Sequence, residues 1–396
     1  MSRKILIISQ NFYPEIGSAG NRIKNIYTLL KKNGNDVQVL TTDPTYPNKK
    51  IYQSDQFWDD GELNNDLFNI ERIKIKNKKY SRSIFNRLFY YVEMALKMFV
   101  SVIKSQNKYD IVYTTSPPIF VAIVGLFAKI KFNAKLILDV RDLWPESLKG
   151  VGVFDKPAIL NVFKMIEKLL YKKSDNIVVN SSGFIEHITN YSASFIKKIN
   201  YIPNGARAKE INPASNSRSF KVIYAGNIGL AQDDKILMQL SQELKKHNIE
   251  FTIIGYGLRR EGLKHYIETN SLDNVTFLEP LNREECLRVI SEHHVGIVTL
   301  MDKEVFKTVL PGKIIDYMTC GVPVVGSVSG LSKDIILNQD IGYVANNNVE
   351  ELMKYIHILH KDPSLREEKS NNGKRFVVEN FLWESNIHSL LEIINS

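Results

Sequence analysis

The feature that most constrains this chain is an alternation of short β-rich runs with helical stretches that passes once through the first half and then starts again. In the first half KILIIS (4–9), DVQVLTT (36–42), FNIERIKI (68–75), DIVYTTS (110–116), KLILDV (135–140) and NIVVNS (176–181) read as strands bounded by Gly, Pro, Asn or Asp. Helical patterns such as 21–33 and 156–173 lie between them. The second series is FKVIYAG (220–226), IEFTIIG (249–255), NVTFLEP (274–280), HVGIVTL (294–300), VPVVGS (322–327) and IGYVAN (341–346). Helices over about 233–246, 258–270, 283–293 and 312–319 fit between these strands. Strands alternating with helices demand βαβ units and a mostly parallel sheet covered on both faces. The expectation is an α/β chain of two doubly wound, Rossmann-like domains.

The 396 residues are too many for one ordinary core, which agrees with two domains. We expect a first domain over 1–206, a second over 207–380, and a C-terminal helix over 381–396 that crosses back to the first. The polar stretch 207–219, rich in Asn, Ser and Lys, has the composition of a linker. A hydrophobic share of 44% and a charged share of 24% are those of a soluble globular chain. Cys286 and Cys320 are the only cysteines, so neither a disulfide framework nor a cysteine zinc site is supported, and a reducing compartment is expected. The apolar run at 5–8 is too short for a signal-peptide core. The longer runs at 90–103 and 119–130 fall short of the roughly 20 residues that span a bilayer.

The net charge of +9 is uneven: residues 1–205 carry 30 Lys+Arg against 18 Asp+Glu, and 206–396 carry 22 against 25. Within the basic half, 71–108 holds ten basic residues against two acidic ones, interleaved with Tyr80, Phe85, Phe89, Tyr90, Tyr91 and Phe99. Such a helical stretch can lie in an anionic membrane interface, or simply turn a solvated basic face away from a core. No nucleic-acid motif accompanies the charge, so nucleic acid is not an expected partner and a basic membrane- or nucleic-acid-binding protein is only an alternative.

Two segments have the make-up of a diphosphate site. In YAGNIGLAQ (224–232), Gly226 and Gly229 would let backbone amides approach a phosphate at the following helix N-terminus, although an ordinary tight βα turn has the same residues. In VLPGKIIDYMTCGVPVVGS (309–327), Pro311 and Gly312 precede a helix, Lys313 lies in its first turn and Asp316 one turn on. That spacing sets a cation and amide donors where a diphosphate can dock, with Asp316 placed for a ribose hydroxyl. A surface lysine and a helix-face carboxylate would have the same spacing. In the first half, GSAG (17–20) reads as a flexible βα loop, and LDVRDLWPES (138–147) ends a strand with charges where ligands of open α/β sheets gather. There Asp142 or Glu146 could accept a proton, Asp139 suits a buried structural carboxylate, and Glu146 also suits a helix start. No Asp-x-Asp pair and no HxH or HxxxH spacing occurs, so no metal is expected.

Taken in order, SQNFYPEIGSAGNR (9–22), LDVRDLWPES (138–147), YIPNGA (201–206), YAGNIGLAQ (224–232), IIGYGLRR (253–260) and LPGKIIDYMTCGVPVV (310–325) resemble the GT-B glycosyltransferases of glycosyltransferase family 4. Within that family the chain resembles bacterial surface-polysaccharide enzymes of the N-acetyl-fucosaminyl transferase kind. The resemblance implies a retaining transfer from a UDP-sugar, without a cofactor, to a lipid-linked (undecaprenyl-diphosphate) saccharide, by a cytoplasmic enzyme peripheral on the inner membrane face. It implies a donor site of Gly17, Gly20, Gly226, Asn227, Gln232, Gly255, Arg259, Pro311, Gly312, Lys313 and Asp316, and catalytic roles for Arg141, Asp142, Glu146 and Lys313. Asp316 stands where the family's E-x7-E motif has its second glutamate, and Thr308 takes the place of the first. Asn227 and Gln232 replace the arginine and lysine of the family's G-R-x-x-x-x-K loop, with Arg141 and Arg259 as candidate substitutes. Arg141 also stands where the family often has an active-site histidine. A sugar-nucleotide 2-epimerase shares this fold, but its chemistry needs acid and base groups around the sugar, which the arginine disfavours.

Overall fold

A computed structural model describes residues 2–64, 66–76, 84–150, 157–211 and 219–396, with no side-chain placement for 84–87. Tyr80 and the side chain of Phe85 therefore lie outside the described residues. Two compact units emerge, the first made of Met1–Pro203 with Glu384–Ser396 and the second of Asn204–Trp383.

The first unit is built on seven strands: β1 (Lys4–Ile8), β2 (Asp36–Thr42), β3 (Ile70–Ile73), β4 (Ile111–Ser116), β5 (Lys135–Val140), β6 (Asn176–Val179) and β7 (Ile199–Tyr201). Every pairing is parallel, in the order β3-β2-β1-β4-β5-β6-β7. Its helices are α1 (Ser18–Lys32), α2 (Ile84–Lys104), α3 (Ile119–Phe132), α4 (Glu146–Gly150), α5 (Pro157–Lys173) and α6 (Phe184–Tyr191). Strand β4 is buried along its whole length, as a central parallel strand covered on both faces must be. The order reverses direction at β1/β4, so right-handed crossovers put α1 on one face and α2, α3 and α5 on the other. On the latter face, Tyr90, Met94, Met98 and Val102 of α2 join Val121, Val124 and Ala128 of α3 and the strand residues Leu6, Ile8, Val112 and Leu136 in one core.

The second unit has six parallel strands, β8 (Lys221–Asn227), β9 (Glu250–Tyr256), β10 (Val275–Leu278), β11 (Val295–Thr299), β12 (Val324–Ser327) and β13 (Gly342–Val344), ordered β10-β9-β8-β11-β12-β13. Between and after them run α7 (Asp234–Lys246), α8 (Arg260–Thr269), α9 (Arg283–Ser291), α10 (Glu304–Lys307), α11 (Gly312–Thr319), α12 (Leu331–Asn338), α13 (Val349–Lys361), α14 (Pro363–Asn380) and α15 (Trp383–Asn395), the last running on into the first unit. Four of these helices start where the sequence offers a polar cap: Asp233, Asn282, Asn348 and Asp362 each accept backbone N–H bonds in the first turn. The strand order reverses at β8/β11. Tyr317 bridges that point, its hydroxyl accepting from the Ala225 N–H at 2.8 Å and donating to the Ile297 carbonyl at 3.1 Å. Gly296 makes this possible, since a β-carbon there would stand 2.5 Å from the Tyr317 ring.

Two expectations need correcting. Strand β7 was not foreseen, because three residues are too few to show an alternation. The start of the expected linker at 207 is ordered packing: Ala206 pairs with Leu382, and the Arg207 N–H donates to Glu210 at 3.0 Å. The Asn- and Ser-rich part, 212–218, lies outside the described residues. The adjacent histidines are structural. His293 is buried between the Val289 carbonyl and the Thr252 hydroxyl, both at 2.7 Å, and burial pushes its pKa down to about 4.

Candidate active-site constellations

In the second unit the carboxyl end of β8 turns at Gly226, whose φ of 129° belongs to glycine. Helix α11 faces this turn. A β-carbon at Gly226 would sit 3.5 Å from Lys313 Cε and 3.8 Å from its Nζ. The Lys313 ammonium lies 3.7 Å from the centre of the Tyr224 ring, and it is buried with no hydrogen-bond partner among the described residues. Burial depresses its pKa to about 7, against the raising influence of Asp316. Pro311 caps α11 without a side-chain hydrogen bond. A buried cation beside first-turn amides that lack a side-chain cap is arranged for an anion.

Asp316, one turn on, accepts from Arg283 Nη1 at 3.0 Å. Arg283 in turn holds Glu210 through two bonds, Nε to Oε1 at 2.7 Å and Nη2 to Oε2 at 2.9 Å. Burial raises the Asp316 pKa, and Arg283 opposes the rise. Sequence reasoning missed both Arg283 and Glu210. One signal was available, because Arg283 is the first residue of a helix capped by Asn282, where a cation opposes the helix dipole and needs another reason to be present.

The loop after β8 is held internally. The Gly229 N–H donates to Gln232 Oε1 at 2.9 Å, and the Tyr224 hydroxyl donates to the Asn227 carbonyl at 2.8 Å. Gly255, paired with Gly226 across the strands, would bring a β-carbon within 2.6 Å of Ile228. Arg259 pairs with Asp234 at the start of α7 and donates to the Gln232 carbonyl at 3.2 Å, so its charge is already balanced. Thr308 donates to the Val305 carbonyl at 2.8 Å, ending the short α10.

In the first unit Gly17 has φ 102° and leads α1, while a β-carbon at Gly20 would stand 2.1 Å from the Glu15 carbonyl oxygen. Two residues on, Arg22 makes a bidentate pair with Asp139, Nε to Oδ2 at 2.8 Å and Nη2 to Oδ1 at 2.9 Å, with both side chains buried. Arg141 Nη2 donates to the Pro117 carbonyl at 2.6 Å; burial lowers its pKa, Asp139 opposes this and Arg22 adds to it. Asp142 accepts the Leu143 N–H at 2.9 Å, and burial raises its pKa, the direction that suits a proton acceptor near neutrality.

Glu146 turns elsewhere, to Lys164 at 3.1 Å and to His187 at 3.8 Å. Its neighbour Glu167 accepts from the Tyr171 and Tyr191 hydroxyls at 2.5 and 2.6 Å. Ligand atoms of Glu146, Glu167 and His187 lie within 4.8 Å of one another, the spacing of a possible metal group. Lys164 and the tyrosine hydroxyls already meet the carboxylate charge there. Burial lowers the His187 pKa, but Glu167 and Glu146 outweigh it and the net direction is upward.

Two parallel, doubly wound units with charged groups at the carboxyl ends of their sheets have the GT-B architecture. Residues 17–205 match the glycosyl transferase 4-like domain, residues 207–376 match glycosyl transferases group 1, and the chain belongs to that glycosyltransferase group. It is 20% identical over 342 residues to "Putative colanic acid biosynthesis glycosyl transferase WcaI" of Escherichia coli K12, covering 80% of this chain and 81% of the relative. Among solved structures, sucrose-phosphate synthase from Thermosynechococcus elongatus superposes with a TM-score of 0.74 at 17% identity, covering 99% of this chain and 98% of that one. Anabaena HepE, solved in complex with UDP and glucose, superposes with a TM-score of 0.72 at 16% identity over 100% of both chains.

Proposed function

We propose that the chain is a retaining, metal-independent glycosyltransferase that moves a sugar from a UDP-sugar to an undecaprenyl-diphosphate-linked saccharide, in the synthesis of a capsule or other bacterial cell-surface polysaccharide. The sugar is an N-acetylated deoxyhexose such as N-acetyl-fucosamine, and the enzyme is cytoplasmic and peripheral on the inner membrane face. The observation that carries the donor side is the buried, unpartnered Lys313 ammonium under Gly226. A diphosphate in the turn made by Gly226, Asn227 and Gln232 would gain this cation and the first-turn N–H groups of Gly312 and Lys313, with Pro311 setting the start of the helix. Asp316 would take the ribose hydroxyls. The UDP bound by the similar HepE supports the nucleotide, and the name of the E. coli relative supports the polysaccharide setting.

In the transfer, the bond between the anomeric carbon and the diphosphate oxygen breaks while the acceptor oxygen bonds to the same carbon from the same face. Charge gathers on the departing diphosphate, where Lys313 and the α11 N-terminus stabilise it. The acceptor proton passes to a carboxylate, for which Asp142 is the candidate because burial raises its pKa, with Arg141 beside it in the chain. Gly17, at φ 102°, gives the turn into α1 a backbone conformation open to glycine, and Gly20 in the first turn of α1 lets the Glu15 carbonyl approach. Glu146 is held by Lys164 and His187 and is the weaker candidate for the proton.

The test is a thermal-shift series with UDP, GDP, dTDP and ADP on the wild-type chain and on Lys313→Ala. UDP alone should raise the wild-type midpoint, and the variant should lose the response. Silence with all four nucleotides, or an undiminished shift in the variant, overturns the donor site.

A further inference from the structure

Three buried polar atoms without partners gather at the carboxyl ends of β1, β2 and β3, which lie side by side in the first sheet. Tyr13, in the loop after β1, is 7% exposed, and its hydroxyl has no hydrogen-bond partner among the described residues. The same holds for Nη1 of Arg72, next to last in β3, and for the hydroxyl of Thr45, just beyond β2. One network joins them. Arg72 Nη2 donates to the Tyr13 carbonyl, and Glu15, two residues on, accepts the Thr45 N–H at 3.3 Å. Buried polar groups are normally paired, so several orphans in one place call for a common partner. Ligands of open α/β sheets gather at this end of the strands.

The surroundings are aromatic. The Arg72 guanidinium lies over the rings of Trp58 and Phe12, 5.3 and 5.9 Å from their centres, and Tyr13 meets Trp58 edge to face at 6.2 Å. Trp58 is half-buried, and its indole N–H donates to the Tyr52 carbonyl at 2.8 Å. The Tyr52 hydroxyl accepts the Ile16 N–H at 3.0 Å, which ties the indole back to the loop after β1. Charge decides what can settle here. Glu15 and Asp43 act on Arg72, Asp59 and Asp60 act on Tyr13, and Lys24, over the Tyr13 ring, is paired with Asp60. Burial, against the pull of Asp43 and Glu15, brings the Arg72 pKa down to about 10, so it remains a charged donor at neutral pH. With carboxylates in the majority, a phosphate or carboxylate is repelled. A neutral sugar is not, because its hydroxyls both donate and accept and its C–H faces pack on aromatic rings.

We infer that Tyr13, Thr45, Trp58 and Arg72 form a saccharide subsite of the first unit, which takes a neutral sugar residue of the acceptor through its hydroxyls and one ring face. The inference deepens the proposed function and rests on its reading of the acceptor as a saccharide. It draws on the first unit alone, so the donor site at Lys313 stands or falls separately.

The test is saturation-transfer NMR on the full chain, with the methyl glycosides of glucose, galactose, N-acetylglucosamine and N-acetylgalactosamine as probes. At least one should receive saturation from the wild type and equally from Lys313→Ala, which sets the binding apart from the donor site. Tyr13→Phe removes only an unpaired hydroxyl, so its melting midpoint should match or exceed that of the wild type, while affinity for the glycoside falls about fivefold. Trp58→Ala should lower the affinity about tenfold or more. The UDP thermal shift should persist in both variants, and its absence from the wild type would remove the donor site and leave the saccharide subsite standing. Should Trp58→Ala fail to fold, Tyr13→Phe decides alone. Silence from all four glycosides with the wild type overturns the inference, and so does a signal lost in Lys313→Ala. Undiminished affinity in Tyr13→Phe, or in a folded Trp58→Ala, overturns it as well. Displacement of the glycoside from Lys313→Ala by inorganic phosphate would assign the place to an anion and overturn it too.

Discussion

Each unit buries a cation near the carboxyl end of its sheet, but the two cations are buried in opposite ways. In the first unit Arg22 is closed onto Asp139 by two hydrogen bonds, and the pair joins α1 to β5 across 117 residues of chain. In the second, the Lys313 ammonium is buried against an aromatic ring with no hydrogen-bond partner among the described residues. The first arrangement is complete as it stands and fixes the start of α1. The second is incomplete, and an anion would complete it. A buried charge that already has its partner is architecture, and one without it is a binding site in waiting.

The sharpest way to break this contrast is to truncate both cations. Arg22→Ala leaves the Asp139 carboxylate buried and alone, and should cost about 3–5 kcal/mol of stability in a denaturant titration of the first unit's transition. A loss under about 1 kcal/mol would deny the pair its structural role. Lys313→Ala should do the reverse, leaving stability unchanged or raised while turnover drops by about a hundredfold or more. Equal turnover in the variant and wild type would remove Lys313 from the chemistry.

Arg283→Gln is expected to have a smaller effect, because Arg283 acts through Asp316. UDP affinity should fall by about tenfold, with Arg283→Lys recovering part of it, and calorimetric titration of the three proteins would read this directly. A variant that loses stability but binds UDP as before would make Arg283 structural only.

The smallest expected effect is a pH dependence that Lys313 alone should show. Its pKa of about 7 means that the ammonium is present below that pH and lost above it. An anion binds the protonated form, so UDP affinity should decline from pH 7 to 9 by up to about tenfold per pH unit until the pKa of the bound state is passed. Lys313→Arg should flatten the decline, since a guanidinium stays charged throughout. A decline of the same slope in Lys313→Arg would assign the proton to another group.

Much of the fold was legible because it is written in local periodicity. The span 312–319 expected for the helix after the Pro-Gly pair is the span of α11, and each strand of the second series overlaps an observed one. The three-residue spacing of Lys313 and Asp316 on that helix was equally readable, because it depends only on the helical repeat. The tripeptide β7 and the packing of 206–210 were not readable, since neither has a pattern longer than a turn. The basic, aromatic character of 71–108 was plain, but which of its residues face outward depends on the helix phase against α3, and among the described aromatics that phase turned Tyr90, Tyr91 and Phe99 inward and Phe89 outward.

By itself the sequence determined two doubly wound parallel units and the helices that carry the charged residues. Tertiary structure alone decided what each remaining charge meets. Tyr224 reaches Lys313 and Arg283 reaches Asp316 from other elements of the fold, and Arg22 of α1 finds Asp139 of β5, 117 residues away in the chain. The physical reason is that strands and helices are selected by neighbours a few residues away, while the state of a buried charge is set by whatever the folded chain packs within a few ångströms of it.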